Sequence, residues 1–111
     1  MKVGFIGLGN VGGKLASSLL RNKFDLTVID LDSSLTKDFV ANGASATNSP
    51  KELAQKVDII ITCLPSPKIC SEVMEKKDGV IEGLSKNKIW LEMSTTDSKE
   101  VKRIGELVKS K

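Results

Sequence analysis

A glycine-rich segment near the start of the chain constrains its fold more than any other feature. The segment reads Gly7-Leu8-Gly9-Asn10-Val11-Gly12 and directly follows the apolar run from Val3 to Ile6. A second apolar run, from Leu26 to Ile29, leads into the acidic residue Asp30. The order strand, glycine turn, helix, strand, acid is typical of a dinucleotide-binding βαβ unit.

Each part of this motif has a physical role. Gly7 allows a sharp turn out of the strand, Gly9 lets a pyrophosphate approach the backbone, and Gly12 allows close packing of helix and strand. The first amides of the helix then face the phosphates, where the helix dipole favours negative charge. Asp30 is predicted to accept hydrogen bonds from the ribose hydroxyls of the adenosine half. The cofactor-binding residues predicted from the motif are Gly7, Leu8, Gly9, Asn10, Val11, Gly12 and Asp30.

Two simpler interpretations stay open at this stage. The glycines could form a turn in an α/β domain that binds no ligand. Asp30 could serve only as a helix cap, although Asp32, Ser33 and Ser34 follow at once and are equally suited to capping.

Composition indicates one ordinary globular domain covering residues 1–111. The chain is 40% hydrophobic and 28% charged, and its net charge of +3 comes from scattered rather than clustered basic residues. A nucleic-acid surface usually shows a basic stripe with aromatic residues, so no nucleic-acid partner is expected. No apolar stretch approaches the ~20 residues that span a bilayer, and the start reads as a strand rather than a leader, so we expect a cytoplasmic protein without membrane contact.

Missing residue types also exclude functions. The sequence has no histidine, which rules out a Ser-His-Asp triad and a typical zinc site, and we expect no metal. It has no tyrosine, so dehydrogenases that use a Tyr and Lys pair are excluded within this span. Cys63 and Cys70 are too far apart for a C-x-x-C motif, and we expect two reduced, mostly buried thiols.

Hydrophobic periodicity predicts five strands alternating with helices. The strands are expected over 2–6, 26–30, 44–47, 58–64 and 88–92, and the helices over 10–22, 34–42, 50–56, 67–76 and 97–109. Short connections and right-handed crossovers imply a doubly wound parallel sheet of the Rossmann type, an α/β fold. Ligands bind such sheets beyond the carboxyl ends of the strands, which gathers residues 8–12, 30, 64–67 and 93–97 along one edge.

Three of these edge segments together resemble the β-hydroxyacid dehydrogenases, which include 3-hydroxyisobutyrate dehydrogenase and 6-phosphogluconate dehydrogenase. The glycine segment is similar to the family's G-L-G-x-M-G opening. The run from Asp58 to Pro67 is similar to its fourth strand, which ends in Leu-Pro, and Glu92 to Asp97 is similar to its D-S-S-T segment. The spacing agrees over nearly the whole sequence.

The resemblance implies a nicotinamide cofactor and a small 3-hydroxy acid substrate. By it, Leu64 and Pro65 lie against the adenosine side of the cofactor, Thr95 lies near the nicotinamide, and Ser94 contacts the substrate. The other interpretation of Ser94 and Thr95 is that they only help to begin the helix that follows them. Because Asp30 would repel a 2′-phosphate, and no arginine follows it, NAD is expected rather than NADP.

Some family features are missing. Val11 replaces the usual methionine, Met93 replaces the first serine of the pair, and Ser98 replaces a proline. The family's catalytic lysine belongs to a later glycine-rich helix, followed by an all-helical domain, and nothing here matches either. We therefore expect no catalytic residue in this span, an inactive fragment, and a longer parent enzyme that forms a homo-oligomer.

A second hypothesis is a stand-alone nucleotide-sensing module. The run Val28-Ile29-Asp30-Leu31-Asp32 resembles the V-I-D-x-D of regulatory domains attached to potassium transport systems. Such modules need neither Leu64-Pro65 nor Ser94-Thr95. Other Rossmann proteins, including methyltransferases and flavoproteins, complete the alternatives.

Overall fold

The computed structural model of the chain describes residues 2–30, 32–64, 67–85, 87–92 and 98–109. Its strands form one parallel sheet of order β3-β2-β1-β4-β5. They are β1 (Lys2–Ile6), β2 (Asp25–Ile29), β3 (Ser45–Ala46), β4 (Ile59–Thr62) and β5 (Ile89–Glu92). The helices are α1 (Asn10–Arg21), α2 (Ser33–Ala41), α3 (Pro50–Lys56), α4 (Pro67–Glu75), α5 (Val80–Gly83) and α6 (Ser98–Lys109). The predicted Rossmann architecture is therefore confirmed.

Apolar side chains on the two faces of the sheet build two cores. One face packs under α1 and α2, around Phe5, Ala16 and Val28. The other packs under α3, α4 and α6, around Leu53, Met74 and Ile104. Burial on both faces explains why β1 and β4 read as unbroken apolar runs, as is usual for parallel strands.

The chain uses the local signals expected at helix ends. Ser49 accepts a hydrogen bond from the Glu52 amide at 3.2 Å, and Pro50 occupies the first turn of α3. Asn42 is the C-cap of α2, and Gly43 follows with φ of +109°. The predicted cap at Asp97 lies outside the described residues.

Several predicted boundaries need correction. β4 covers Ile59–Thr62 and is shorter than the predicted 58–64, although the Asp58 amide still donates to the Lys2 carbonyl at 2.8 Å and the Asp58 carbonyl accepts from the Ile89 amide at 3.0 Å. β2 runs from Asp25 to Ile29, so Asp30 lies just beyond the strand and not inside it. The short helix α5 was not predicted, because four residues are too few for a hydrophobic period to show.

In the part of the chain that the structure describes, no helix combines the length and apolar character needed to cross a bilayer.

Candidate functional site

The glycine turn brings the ends of three strands together. Gly7 has φ of +100°, a conformation that L side chains rarely adopt, and its amide donates to the Ile29 carbonyl of β2 at 3.2 Å. On the other side, the Cys63 amide donates to the Ile6 carbonyl at 2.9 Å. The carboxyl ends of β1, β2 and β4 therefore meet at this turn, as a ligand crevice in such a sheet requires.

Gly9 and Gly12 have opposite surroundings. A Cβ atom built on Gly12 would lie 2.1 Å from the Gly7 carbonyl oxygen and 3.3 Å from the Cys63 Cβ atom. A Cβ atom built on Gly9 would meet nothing within 4 Å. Gly12 is thus a packing requirement of the protein itself, whereas the space over Gly9 is available to a ligand.

The N-terminus of α1 differs from those of α2 and α3. Asp32 caps α2 and Ser49 caps α3 through side-chain hydrogen bonds, but Gly9, at the N-cap of α1, has no side chain to offer. The first turn of α1 also contains no acidic residue. Backbone donors and an uncompensated dipole at this end fit an anionic group such as a diphosphate.

Asp30 is hydrogen-bonded directly to the glycine turn. Its Oδ2 atom accepts from the Leu8 amide at 2.6 Å, and its Oδ1 atom accepts from the Asp32 amide at 2.8 Å. Each ionised carboxylate oxygen has about two acceptor positions, so each oxygen keeps capacity for a further donor. The carboxyl group therefore links the glycine turn to the β2–α2 turn while remaining able to accept ribose hydroxyls.

Asp32, rather than Asp30, is the N-cap of α2. Its Oδ1 atom accepts from the Ser34 amide at 3.0 Å and from the Ser34 hydroxyl at 2.6 Å. The hydroxyl bond from Ser34, followed by the amide bond, lowers the pKa of Asp32 below its usual value. The β2–α2 turn thus contains two carboxylates, of which Asp32 caps α2 and Asp30 is bonded to the glycine turn.

The structure describes only some of the predicted site residues. Asn10 and Val11 form the start of α1, but their side chains lie outside the description. Leu64 is half-buried, and its Cδ2 atom lies 3.1 Å from a Cβ atom built on Gly7, so it is brought to the turn. Pro65, Ser94 and Thr95 lie outside the described residues.

A polar cluster at the ends of β4 and β5 was missed by the sequence analysis. The Trp90 indole donates to the Thr62 hydroxyl at 2.9 Å, and this hydroxyl donates to Oε2 of Glu92 at 2.9 Å. The Cys70 thiol donates to the same oxygen at 2.8 Å. The available signal was the presence of Thr62 and Glu92 at the ends of two strands predicted to be neighbours.

The two cysteines are thiols in different surroundings, and neither forms a disulfide. Cys70 is buried at 1% exposure, and Cys63 is half-buried. Burial, and then the charge of Glu92, raise the pKa of Cys63. Among the described residues, no group of three or more His, Cys, Asp and Glu side chains is placed to hold a metal ion.

A cleft of about 670 Å³ starts at Leu8 and Gly9 and runs along α1. Lys14 and Arg21 border it, and Leu35 and Phe39 of α2 also line it. It therefore meets the glycine turn at one end and otherwise follows α1 and α2. The candidate nucleotide site is defined by backbone donors and Asp30 rather than by this cavity.

Three features of this site together define a dinucleotide-binding Rossmann domain. They are the glycine turn, the helix α1 without a side-chain cap, and the carboxylate of Asp30 at the end of β2. Residues 2–111 match the family described as the NAD binding domain of 6-phosphogluconate dehydrogenase. The chain belongs to this family, as its resemblance to the β-hydroxyacid dehydrogenases implied.

Individual proteins agree with this assignment. The chain is 36% identical to mitochondrial 3-hydroxyisobutyrate dehydrogenase of Mus musculus, over 93% of this chain and 33% of that protein. It is 40% identical to the uncharacterized oxidoreductase YfjR of Bacillus subtilis, over 86% of this chain and 33% of that protein. The crystal structure of 3-hydroxyisobutyrate dehydrogenase from Salmonella typhimurium superposes with a TM-score of 0.90 at 26% identity, covering 99% of this chain and 38% of that one. The chain thus spans about a third of the length of the relatives it matches.

Proposed function

We propose that this chain is the NAD-binding part of an oxidoreductase that transfers a hydride between nicotinamide and a small 3-hydroxy acid. The observation that supports it most directly is the Asp30 carboxylate, held 2.6 Å from the Leu8 amide within the glycine turn. This contact supports the proposal because a carboxylate that could accept from a ribose would then lie beside the amides proposed to bind phosphate. The family match favours this function over the nucleotide-sensing module.

The protein's own groups would divide the work of holding the cofactor. Amides at the start of α1 would bind the diphosphate, and the open space over Gly9 would admit it. Asp30 would accept the ribose hydroxyls with its remaining acceptor positions. When bound, the nicotinamide supplies the hydride acceptor, and the protein contributes orientation and electrostatics.

The remaining predicted residues would complete the rim. Leu64 and Pro65 would lie against the adenosine side, Thr95 near the nicotinamide, and Ser94 against the substrate. A hydroxyl and backbone amides ahead of a helix suit a substrate carboxylate. We propose that the general acid/base is a lysine outside these residues. The parent enzyme's homo-oligomeric state and cytoplasmic location stay predictions.

We propose NAD rather than NADP as the cofactor because of charge. Asp30 and Asp32 lie two positions apart, and the hydrogen bonds from Ser34 lower the pKa of Asp32 and so favour its charged form. A 2′-phosphate would approach both carboxylates, and like charges at short range repel. The ribose hydroxyl that NAD has at this position would instead donate a hydrogen bond to a carboxylate.

Calorimetric titration of the chain with NADH, NADPH and ATP tests this function. We expect NADH to bind more tightly than the other two. Asp30→Ala should weaken NADH binding about ten-fold or more, equal to ~1.4 kcal/mol. It should also reduce the ratio of the NADH affinity to the NADPH affinity. As a control, Asp38→Ala removes an exposed carboxylate from α2 and should change neither the NADH affinity nor this ratio.

The ratio of the two affinities is the decisive measurement, because general loosening of the fold would not change it selectively. Well-folded chain that binds no nicotinamide nucleotide, or that prefers ATP, would refute the proposal. A second assay mixes the chain with NAD and 3-hydroxyisobutyrate, where we expect no NADH to form. Robust turnover would contradict the placement of the acid/base outside these residues.

A further inference from the structure

The cluster at the ends of β4 and β5 joins three elements through one carboxyl group. Glu92 ends β5, Thr62 ends β4, and Cys70 lies in α4. Thr62 is fully buried, Cys70 is 1% exposed, and Glu92 and Trp90 are half-buried. These bonds therefore lie largely inside the protein, where losing a hydrogen-bond partner is costly.

The direction of each hydrogen bond follows from the chemistry of its donor. An indole N–H only donates, so the Thr62 oxygen accepts from Trp90 and its single proton must go elsewhere. That proton goes to Oε2 of Glu92, which also accepts from Cys70. Glu92 is thus the common acceptor for the Thr62 hydroxyl and the Cys70 thiol.

The position of the cluster connects it to the rim of the candidate site. Thr62 is followed by Cys63, whose backbone touches the glycine turn, and by Leu64. Glu92 is the last residue of β5 before the segment that carries Ser94 and Thr95. The end of β4 is also held on β1 by the Cys63 amide, which donates to the Ile6 carbonyl, so the carboxyl group of Glu92 mainly fixes the end of β5.

We propose that Glu92 is a positioning residue that sets the nicotinamide side of the cofactor site. It acts by hydrogen bonding, holding the ends of β4 and β5 and the start of α4 in one arrangement, without touching the cofactor. This inference rests on the proposed function. It predicts that loss of the cluster weakens ligands that reach the nicotinamide side more than ligands that stop at the second ribose.

The test compares NADH with ADP-ribose, which lacks the nicotinamide ring. Glu92→Ala should weaken NADH binding about five-fold, the equivalent of one net hydrogen bond of ~1 kcal/mol, and change ADP-ribose binding less than about two-fold. Glu92→Gln keeps an acceptor oxygen at the same reach and should restore most of the NADH affinity. Thr62→Val breaks the chain of bonds from the other side and should reproduce the effect of Glu92→Ala.

The chain provides its own spectroscopic probe and control. Trp90 is its one tryptophan, so a nitrogen-15 spectrum contains a single indole resonance. That resonance should shift in Glu92→Ala and Thr62→Val and stay close to its wild-type position in Glu92→Gln. Glu72→Ala removes a carboxylate of α4 that pairs with Lys76 at 3.6 Å at the surface, and should alter neither the resonance nor the affinities.

The outcomes separate this inference from the proposed function. Equal weakening of NADH and ADP-ribose, unchanged NADH affinity, or a Gln variant as weak as the Ala variant would each overturn the positioning role. If Glu92→Ala does not fold, Thr62→Val and Glu92→Gln decide the question. Wild-type chain that binds neither ligand would instead overturn the proposed function, and this inference with it.

Discussion

Replacing Gly9 and Gly12 by alanine should separate ligand binding from folding. The two residues lie in the same turn, but only Gly12 is packed against other parts of the protein. At Gly12 the new methyl group would lie 2.1 Å from a backbone oxygen, and real Cβ atoms essentially never come closer than 3.0 Å. Because the obstacle is backbone, the N-terminus of α1 must move away by about 1 Å.

The cost of this movement can be bounded. Overpacking a well-packed site costs typically about 1–3 kcal/mol, and a backbone obstacle favours the upper part of that range. For a domain of this size, 1 kcal/mol corresponds to roughly 4–8 °C in Tm. Gly12→Ala should therefore lower Tm by about 8–24 °C and abolish NADH binding, because the helix amides are displaced.

Gly9→Ala should behave differently. Its backbone has φ of −69° and ψ of −163°, which alanine adopts easily, and its Cβ atom meets nothing within 4 Å. We expect a change in unfolding free energy within about 0.5 kcal/mol but a loss of NADH affinity of ten-fold or more, since the methyl group occupies the space of the diphosphate.

Urea unfolding and NADH calorimetry on the same preparations measure both effects. Gly105→Ala is the matched control, because a Cβ atom there also meets nothing within 4 Å, but in the interior of α6. It should stabilise the chain by about 0.5–1 kcal/mol and leave NADH binding unchanged. Wild-type affinity in Gly9→Ala would refute the assignment of the space over Gly9 to the diphosphate.

Three further predictions concern charge and capping. Arg103, which donates to Glu75 at 2.5 and 2.6 Å, is the main cause that lowers the pKa of this carboxyl group from 4.5 to about 2. A lowered folded-state pKa means that the stabilisation is present above pH 4.5 and lost as the pH falls towards 2. The unfolding free energy of the wild type should therefore fall as the pH is lowered. Because the pair is partly exposed, Glu75→Gln should make this fall smaller by less than about 1 kcal/mol in urea titrations. A variant whose unfolding free energy has the same pH profile as the wild type would contradict the prediction. Burial raises the pKa of Cys63, so iodoacetamide should modify this thiol in the folded chain more slowly at pH 7 than it modifies an unstructured cysteine peptide. Equal rates of modification would contradict this prediction. Asp32→Ala removes the cap of α2 and should cost about 1 kcal/mol of unfolding free energy, whereas stability within error of wild type would show that the cap contributes nothing.

Much of the fold was predictable because its signals are local. The glycine motif, the apolar runs and the caps at Ser49 and Asn42 each depend on neighbouring residues, and each appears where the sequence placed it. Strand ends were less predictable. At the start of β4, Asp58 is hydrogen-bonded to Lys2, which lies 56 positions earlier, and no local pattern contains that information.

The candidate site likewise has features that the sequence predicts and features that depend on how distant residues pack. Residue types and spacing indicated that Asp30 lies near the glycine turn, but not that its carboxylate accepts the Leu8 amide. The bond to the Asp32 amide has a local signal, since an aspartate often accepts from the amide two residues on. The cluster around Glu92 depends on side chains from three elements, and its bonds become visible only when these elements are packed.

The central position of β1 has a consequence for biosynthesis. β1 is synthesised before the other strands of this sheet and pairs with β2, but its other edge waits for Ile59 to Thr62. Until β4 emerges, the nascent chain carries an apolar strand with an open edge, the kind of surface that chaperones protect and that aggregates when left bare. Slow synthesis between β2 and β4 would lengthen this exposure, so yield in cells should respond to codon choice in that interval as well as to the stability of the finished domain.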